Sequence, residues 1–357
     1  MPRLLTQFPP LHLVNMAKTA PATPPSTPSI SPLPALYGRS QKLFTRIEKH
    51  LGAKLVTYWT SPTGSVCQND VIALHEVLAH VGKVERLYYF IKSDGGNGRA
   101  SLRMVNLLRQ HAKEVIALVP LNCESAATML ALGANEIQMG PLAFLSPVDT
   151  AITHDLSPID RDNDRVSVSQ NELARILRLW REDAGRTPTR NPYETIFQYV
   201  HPLVIGAVDR ASSLSSRLCG EILSYHMKDR AKITKIAEVL NNDYPSHGYP
   251  IMIAEAQRIG LKAKPMDAEL NRLLIELSEV YSESGQRHRT DFDEKNHHDD
   301  EICNIHEVAG AHVHYRVDKD WRYISEERRW VSMNDKGAWS KLAGAPGKTK
   351  TSVLHIR

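Results

Sequence analysis

The chain has 357 residues, of which 42% are hydrophobic and 24% are charged, and its formal net charge is +4. This is the composition of a globular protein with a large apolar core, and the small net charge excludes nucleic acid as an expected main partner. The four cysteines are far apart in sequence, which argues against a disulfide framework and for a reducing compartment. Because no run of about 18 uncharged apolar residues occurs, we expect no membrane span and a cytoplasmic protein.

The composition divides the chain into four predicted regions. Residues 1–36 are rich in Pro, Ser, Thr and Ala, and such a segment buries too little apolar surface to offset its conformational entropy, so we expect it to be disordered. Residues 37–283 are expected to form the main domain. A charged linker is predicted at 284–300, and a small β-rich C-terminal unit at 301–357.

Strands and helices alternate in the first half of the predicted main domain. Ser40 is expected to cap a helix that ends near Leu51. Apolar strands are then predicted at 54–60, 86–92, 114–119 and 136–139, with helices at 70–81, 100–111 and 125–132 between them. Because strands buried on both faces form parallel sheets covered by helices, this order predicts an α/β fold with a mostly parallel sheet.

The pattern changes after Asp149. Residues 150–169 are polar and are expected to form a loop or lid. The rest of the main domain is predicted to be helical, at about 170–184, 193–200, 203–227, 230–241, 252–260 and 266–283. In the C-terminal unit, Asp335-Lys336-Gly337 predicts a turn that makes Trp330 and Trp339 cross-strand neighbours.

Two glycines and a serine stand at successive strand-to-helix turns. Gly95 and Gly96 follow the strand at 86–92, and without a Cβ they let backbone N–H groups approach a ligand. Ser125 begins the predicted helix at 125–132. The first N–H groups of a helix lack helical partners, and the helix dipole is positive there. An oxyanion beside Ser125 would accept hydrogen bonds from the Ala126 amide and from the diglycine turn.

This stretch resembles the Clp protease proteolytic subunit, the signal peptide peptidase A family and, more closely, the serine dehydrogenase proteinase family. The similarity spans about residues 50–265 and rests on Ser125-Ala126-Ala127-Thr128, Leu132-Gly133-Ala134-Asn135-Glu136-Ile137, Leu145-Ser146-Pro147-Val148-Asp149, His201-Pro202-Leu203, Tyr244-Pro245-Ser246-His247-Gly248-Tyr249-Pro250 and Glu255-Ala256-Gln257-Arg258-Ile259-Gly260-Leu261. The resemblance implies a serine peptidase on a Clp protease/crotonase-like ββα spiral, with a peptide or unfolded protein as substrate. It also implies a homo-oligomer, a ring or a trimer-based assembly.

The general base is less well defined by the sequence. In Clp-type enzymes a histidine follows the nucleophile by about two dozen residues, and Asp149 stands at that position here. His247 is the best histidine on sequence grounds, so we expect Ser125, His247 and Asp149 to meet in space. A lysine base, Lys228 or Lys232, and Asp149 acting without a histidine are the alternatives.

The sequence departs from the superfamily pattern beside the nucleophile. Ser93-Asp94 precedes the two glycines where Ser-Pro or Thr-Pro is usual, Cys123 replaces a glycine, and Glu124 places a charge next to Ser125. A catalytically inactive scaffold or binding module on the same fold is therefore the alternative function. A crotonase-type acyl-CoA enzyme is disfavoured because a serine occupies the nucleophile position.

We expect no cofactor and no metal. The chain has no G-x-G-x-x-G fingerprint at a strand-to-helix turn, which is where a dinucleotide would bind. The histidines of the C-terminal third have no tight metal-ligand spacing beyond His312-x-His314, which is also typical of one face of a strand.

Overall fold

The computed structural model describes residues 36–161, 164–183, 191–344 and 348–356, so the tail predicted for residues 1–36 lies, but for its last residue, outside the described residues. The helices are α1 (Tyr37–Leu51), α2 (Gln68–Val81), α3 (Gly98–His111), α4 (Ala126–Leu132), α5 (Gln170–Asp183), α6 (Pro192–Ile196), α7 (Pro202–Ser224), α8 (Arg230–Glu238), α9 (Ile253–Arg258) and α10 (Ala268–Ser284), with a π-helical turn at Val239–Asp243. None of the described helices is long and apolar enough to cross a bilayer.

Fifteen strands are described, most of them in one sheet. They are β1 (Lys54–Thr60), β2 (Val84–Lys92), β3 (Ala112–Val119), β4 (Asn122–Cys123), β5 (Glu136–Met139), β6 (Phe144–Leu145), β7 (Ala151–Ile152), β8 (Val168–Ser169), β9 (Ala263–Pro265), β10 (His288–Asp291), β11 (Asn296–Val308), β12 (Ala311–Ile324), β13 (Arg329–Asp335), β14 (Ala338–Ala343) and β15 (Lys350–Leu354). The neighbouring strands β1-β2-β3-β5-β9 are all parallel. The predicted mixed α/β fold, with a mostly parallel central sheet and helices, is confirmed.

The two faces of the parallel strands bury two separate apolar clusters. Val56 and Tyr58 of β1 face a cluster that includes residues of α2, α3 and α4. The alternate residues, Leu55 and Trp59, face a second cluster that includes residues of α1 and α10. Successive side chains of a strand point to opposite faces. Because both faces of these strands are buried, apolar residues follow one another along them with few interruptions.

The C-terminal strands continue the same sheet. β11 pairs antiparallel with β1, with Val308 opposite Val56, and β10 pairs with β11. Residues 284–300 therefore form no linker, and 301–357 form no separate unit, in contrast to the prediction. The charged residues looked solvated in sequence, but Asp299 is buried against Arg287, at 2.7 Å, and Asp300 against Arg316. Such hydrogen-bonded pairing offsets much of the cost of removing the carboxylates from water.

Two smaller predictions in these elements were wrong. Ser40 lies inside α1 rather than at its start, is fully buried, and donates to the Glu307 carboxylate at 2.5 Å. Trp330 and Trp339 are not cross-strand neighbours, because β13 and β14 both pair with β12, at different places along it. Trp330 lies opposite Tyr323, and Trp339 lies opposite Tyr315.

The candidate site lies where β2 and the short strand β4 end. The backbone after β2 pairs with β4 through a parallel bridge between Ser93 and Cys123. The N–H of Ser93 donates to the Asn122 carbonyl, and that of Glu124 donates to the Ser93 carbonyl at 2.9 Å. This pairing holds the diglycine turn beside the residue that begins α4, which is Ser125.

Candidate active site

Ser125 occupies a strained turn between strand and helix. Its φ of 51° and ψ of −118° are rare for a residue with a side chain. The turn is held by Ser146, whose Oγ accepts the Ser125 N–H at 2.7 Å, and by Thr128, whose hydroxyl contacts the carbonyls of Cys123 and Ser146. A serine on such a turn presents its hydroxyl at the end of the sheet, as nucleophilic serines of hydrolases do. The sequence motif contained Ser146 and Thr128, but nothing in it indicated this role.

The diglycine turn packs directly against Ser125. Gly95 and Gly96 have φ values of 105° and 140°, which favour glycine. A Cβ on Gly95 would lie 2.6 Å from the Ser125 Cβ and 2.8 Å from the Glu124 carbonyl oxygen. Gly95 is therefore required by close contact with the serine as well as by its backbone conformation.

Two backbone amides beside Ser125 have no acceptor among the described residues. They belong to Gly96 and Ala126, and both of these residues line the same cavity as Ser125. The neighbouring amides are occupied, because Gly95 N–H donates to the Ser93 Oγ and Ser125 N–H donates to Ser146. Of the predicted donors, Gly96 and Ala126 are thus free for a ligand, and Gly95 shapes the turn.

A cavity of about 730 Å³ opens beside Ser125. The two other predicted catalytic residues, His247 and Asp149, also line this cavity. The His247 Nδ1 lies 2.9 Å from the Asp149 Oδ1. The rest of its wall comes from the first turn of α3, from α4, α5 and α7, and from the two ends of segment 150–169, where β7 pairs with β8. The structure therefore brings Ser125, His247 and Asp149 to one cavity, although they are distant in sequence.

The charge on His247 is favoured by its surroundings. The hydrogen bond with Asp149 raises the pKa of His247 above its ordinary value; partial burial opposes this, and the negative charge of Glu124 adds to it. Because Nδ1 faces a carboxylate, Nδ1 carries the proton and Nε2 is the nitrogen available to accept another. Nε2 has no partner among the described residues.

Glu124 is partly buried behind the serine. Burial raises the pKa of its carboxyl group, while the hydrogen bond from Asn122 opposes this. Lys92 lies close enough to interact electrostatically with Glu124, but its ammonium donates to the Thr60 carbonyl oxygen at 2.8 Å. Glu124 acts on His247 through its charge. Among the described residues, no hydrogen bond joins these two side chains.

The alternative lysines lie away from this cavity. Lys232 lines a second cavity, of about 340 Å³, together with His226, and Lys228 is exposed and lines neither. No group of three or more His, Cys, Asp or Glu side chains suited to a metal occurs in the part of the chain that the structure describes.

Comparison with known proteins adds little to this geometry. No protein-family model matches the chain, and no curated protein matches it. A solved structure of a mutant of the 1510-N membrane-bound stomatin-specific protease is similar with 14% identity and a TM-score of 0.37, covering 66% of this chain and 87% of that one. Another mutant of that protease, in complex with a substrate peptide, is similar with 14% identity and a TM-score of 0.36, covering 66% of this chain and 83% of that one. These TM-scores are too low to carry an argument.

Proposed function

We propose that the chain is a serine-type endopeptidase that hydrolyses peptides or unfolded segments through an acyl-enzyme on Ser125. One observation carries the proposal. A serine on a strained strand-to-helix turn shares a cavity with a histidine–aspartate pair and with two amides that lack internal acceptors. These are the four components that acyl transfer needs: a nucleophile, a base, a group that orients the base, and donors for the oxyanion.

In the first half of the reaction, the Ser125 Oγ forms a bond to the substrate carbonyl carbon while His247 Nε2 takes the hydroxyl proton. The oxyanion accepts hydrogen bonds from the Gly96 and Ala126 amides. The C–N bond then breaks as His247 gives the proton to the leaving amine, which leaves an ester on Ser125. Asp149 holds the imidazole in one orientation and stabilises its cation.

In the second half, water attacks the ester carbon and His247 takes one of its protons. The bond to Ser125 Oγ breaks, the proton returns to the serine, and the carboxylic acid product is released. No cofactor is needed, because each proton that His247 accepts is given back within the cycle.

The proposal extends to the fold family and the assembly. The motifs around Ser125 and His247 support a ββα spiral of the Clp protease/crotonase type, in the serine dehydrogenase proteinase family, and we place the enzyme in the cytoplasm. Exposed apolar side chains on and around α5, α6 and α7 support a homo-oligomer, since exposed apolar patches mark protein–protein contact sites; they are Ile176, Leu179, Phe197, Tyr199 and Leu203. Light scattering coupled to size exclusion tests this assembly.

A fluorophosphonate probe tests the activity. We expect the wild-type protein to be labelled and Ser125→Ala to remain unlabelled, while Ser167→Ala, a change of an exposed serine in the same cavity, keeps the labelling. Labelling that persists in Ser125→Ala would contradict the assignment of the nucleophile.

An inactive scaffold is the second candidate, because Glu124 places a carboxylate next to the proposed nucleophile. A folded wild-type protein that stays unlabelled between pH 6 and pH 10 would favour the inactive scaffold, because most of this range lies above about 6.5, the ordinary pKa of a histidine base.

A further inference from the structure

Two arginines line the cavity of Ser125 without any partner for their side chains. Arg99 lies in the first turn of α3, and Arg175 lies on α5. Among the described residues, neither guanidinium makes a hydrogen bond or an ion pair. Arg178, one turn further along α5, does have a carboxylate partner, Glu182 at 3.8 Å.

The two carboxylates that line the same cavity already accept hydrogen bonds from the protein. Asp149 accepts a hydrogen bond from His247, and Glu172 accepts one from the Ser169 amide at 3.1 Å. Among the charged side chains of the cavity, the two cations have unused donors, whereas the two anions each have an acceptor in use. A ligand group that reaches the two guanidiniums would therefore meet free donors.

Arg99 belongs to the part of the wall nearest the serine. The first turn of α3 packs on the first turn of α4, because the Ser101 hydroxyl donates to the Ala126 carbonyl at 2.7 Å. A Cβ on Gly98 would lie 2.8 Å from the Met129 sulfur. Arg99 is exposed, and it lies on a turn that packs against the helix that Ser125 begins.

Arg175 lies on the α5 face that borders the cavity. Asn171 and Glu172 line the same cavity one turn earlier, which shows that this face of the helix is turned toward it. The Arg175 side chain is partly buried, and a guanidinium in a partly dehydrated site attracts a carboxylate more strongly than one in open water does.

We propose that Arg99 and Arg175 form carboxylate-binding subsites, so that the enzyme selects peptides with an acidic group close to the scissile bond. The inference depends on the proposed function, since it places these subsites beside a peptide bound to Ser125. A guanidinium binds a carboxylate through two parallel N–H···O bonds, which fixes the position of the substrate as well as attracting it. The apolar wall of Met129, Leu214 and Leu218 accepts the neighbouring apolar side chain.

The carboxylate has two sources in a peptide: an Asp or Glu side chain, and a free C-terminus. Matched peptides separate them. One series carries Glu, Gln or Lys at each position on either side of the scissile bond and ends in an amide. A second series carries only Gln and ends in either a free acid or an amide.

The experiment measures kcat/KM for both series on wild type, Arg99→Gln and Arg175→Gln. The matched control is Arg178→Gln, on the same helix but outside the cavity. In wild type we expect the acid to be preferred over its amide by ~10-fold at one position or at the C-terminus, as for a hydrogen bond between charged groups. The ratio should fall toward one in the cavity variant that serves that position and stay unchanged in the control.

Two further variants protect the test against misfolding. Arg175→Lys keeps the charge and should keep part of the preference, and Arg175→Glu should shift the preference toward Lys peptides. An acid-to-amide ratio near one in wild type, or a preference that survives both Arg99→Gln and Arg175→Gln, would overturn the inference.

Binding separates this inference from the proposed function. Fluorescence polarisation with the inactive Ser125→Ala protein measures the affinity for the same labelled peptides. If the wild-type protein hydrolyses nothing but Ser125→Ala binds acidic peptides more tightly than their amides, the proposed function fails and the subsites stand. If hydrolysis occurs without any acid preference, the subsites fail and the proposed function stands.

Discussion

Two histidine–aspartate pairs of equal length stand in contrasting surroundings. The Nδ1 of His247 is 2.9 Å from Asp149, and the Nε2 of His306 is 2.9 Å from Asp70. The His247 side chain is 51% exposed and borders a cavity, whereas both side chains of the second pair are 0% exposed. Pair geometry alone therefore does not define a site; access to the second ring nitrogen does.

The carboxylate of the buried pair is surrounded by hydrogen-bond donors. Asp70 also accepts hydrogen bonds from the Tyr58 hydroxyl, the Asn304 amide and the Cys67 N–H. Tyr58 stacks on the His306 ring with the centroids 4.7 Å apart. These contacts join α2 to β1 and β11, so we interpret this pair as a connection between elements and the cavity pair as part of the chemistry.

The largest expected effect comes from removing the proposed nucleophile, which shares a cavity with the exposed pair and not with the buried pair. Ser125→Ala should lower kcat/KM by about 10⁴–10⁶-fold, because the residues of such a unit act together. Steady-state hydrolysis of a fluorogenic peptide measures this. The melting temperature should stay close to that of wild type, and a loss of less than about tenfold would place the nucleophile elsewhere.

Removal of the cavity histidine should affect the rate and spare the fold. His247→Ala should lower kcat/KM by about 10²–10⁴-fold through loss of the general base. Asp149→Asn, which leaves the histidine without its anionic partner, should act in the same direction. His306→Ala is the contrasting variant, and the comparison breaks if it lowers the rate of the folded fraction as much as His247→Ala does.

The buried pair should show the reverse pattern. Asp70→Asn or His306→Ala should lower the free energy of unfolding by about 3–5 kcal/mol, because a buried polar group then loses its partner. Urea unfolding followed by fluorescence measures the change. The protein that remains folded should still react with the fluorophosphonate probe, and equal stability of variant and wild type would contradict the structural role.

Two glycines in contrasting surroundings sharpen the steric side of the comparison. Gly95→Ala should disturb the turn at Ser125 and cost about 1–3 kcal/mol of stability, since its Cβ meets the serine at 2.6 Å and its φ is positive. Gly206→Ala, at an exposed position in the second turn of α7, meets nothing within 4 Å and should stabilise by about 0.5–1 kcal/mol. Thermal unfolding of both variants tests the pair, and a neutral Gly95→Ala would show that the turn is loose.

The smallest expected effect is a shift in pH dependence. His247 must be neutral to accept the serine proton, and its raised pKa moves the acid limb of kcat/KM above the ordinary histidine value of about 6.5. Glu124→Gln removes one of the charges that favour the cation, so the acid limb should move to lower pH by up to about one unit. A pH–rate profile of both proteins measures it, and a shift to higher pH would contradict the assignment of His247.

The elements that position the site were predictable because they are buried on both faces. The near-continuous apolar sequence of β1 left little choice but a central strand, and the small residues after Ser125 predicted α4. The motif also pointed to His247, to Asp149 and to the amides of Ala126 and the diglycine turn. Which glycine amide is free was not predictable, because it depends on the hydrogen bond from the Gly95 N–H to the Ser93 Oγ.

Prediction failed where polar residues are buried. The sequence of β11, NHHDDEICNIHEV, has the composition of a solvated segment, and we expected part of it to be a linker. Its residues after the first are all buried. Its carboxylates find cationic or hydroxyl partners in α1, in α10, in β12, and in the segments that follow β1 and precede β10. Those partners lie on other elements, so a pattern read one segment at a time does not reveal them.

The place of β11 beside β1 has a consequence for biosynthesis. Thr57 of β1 contacts the carbonyl of Glu307 across 250 positions of sequence. A ribosome releases β1 early, and the hydrogen-bonding edge of β1 then faces water until β11 emerges. During that interval the edge can pair with another nascent chain, so a chaperone that shields exposed strand edges should raise the yield of folded protein more than one that acts after release.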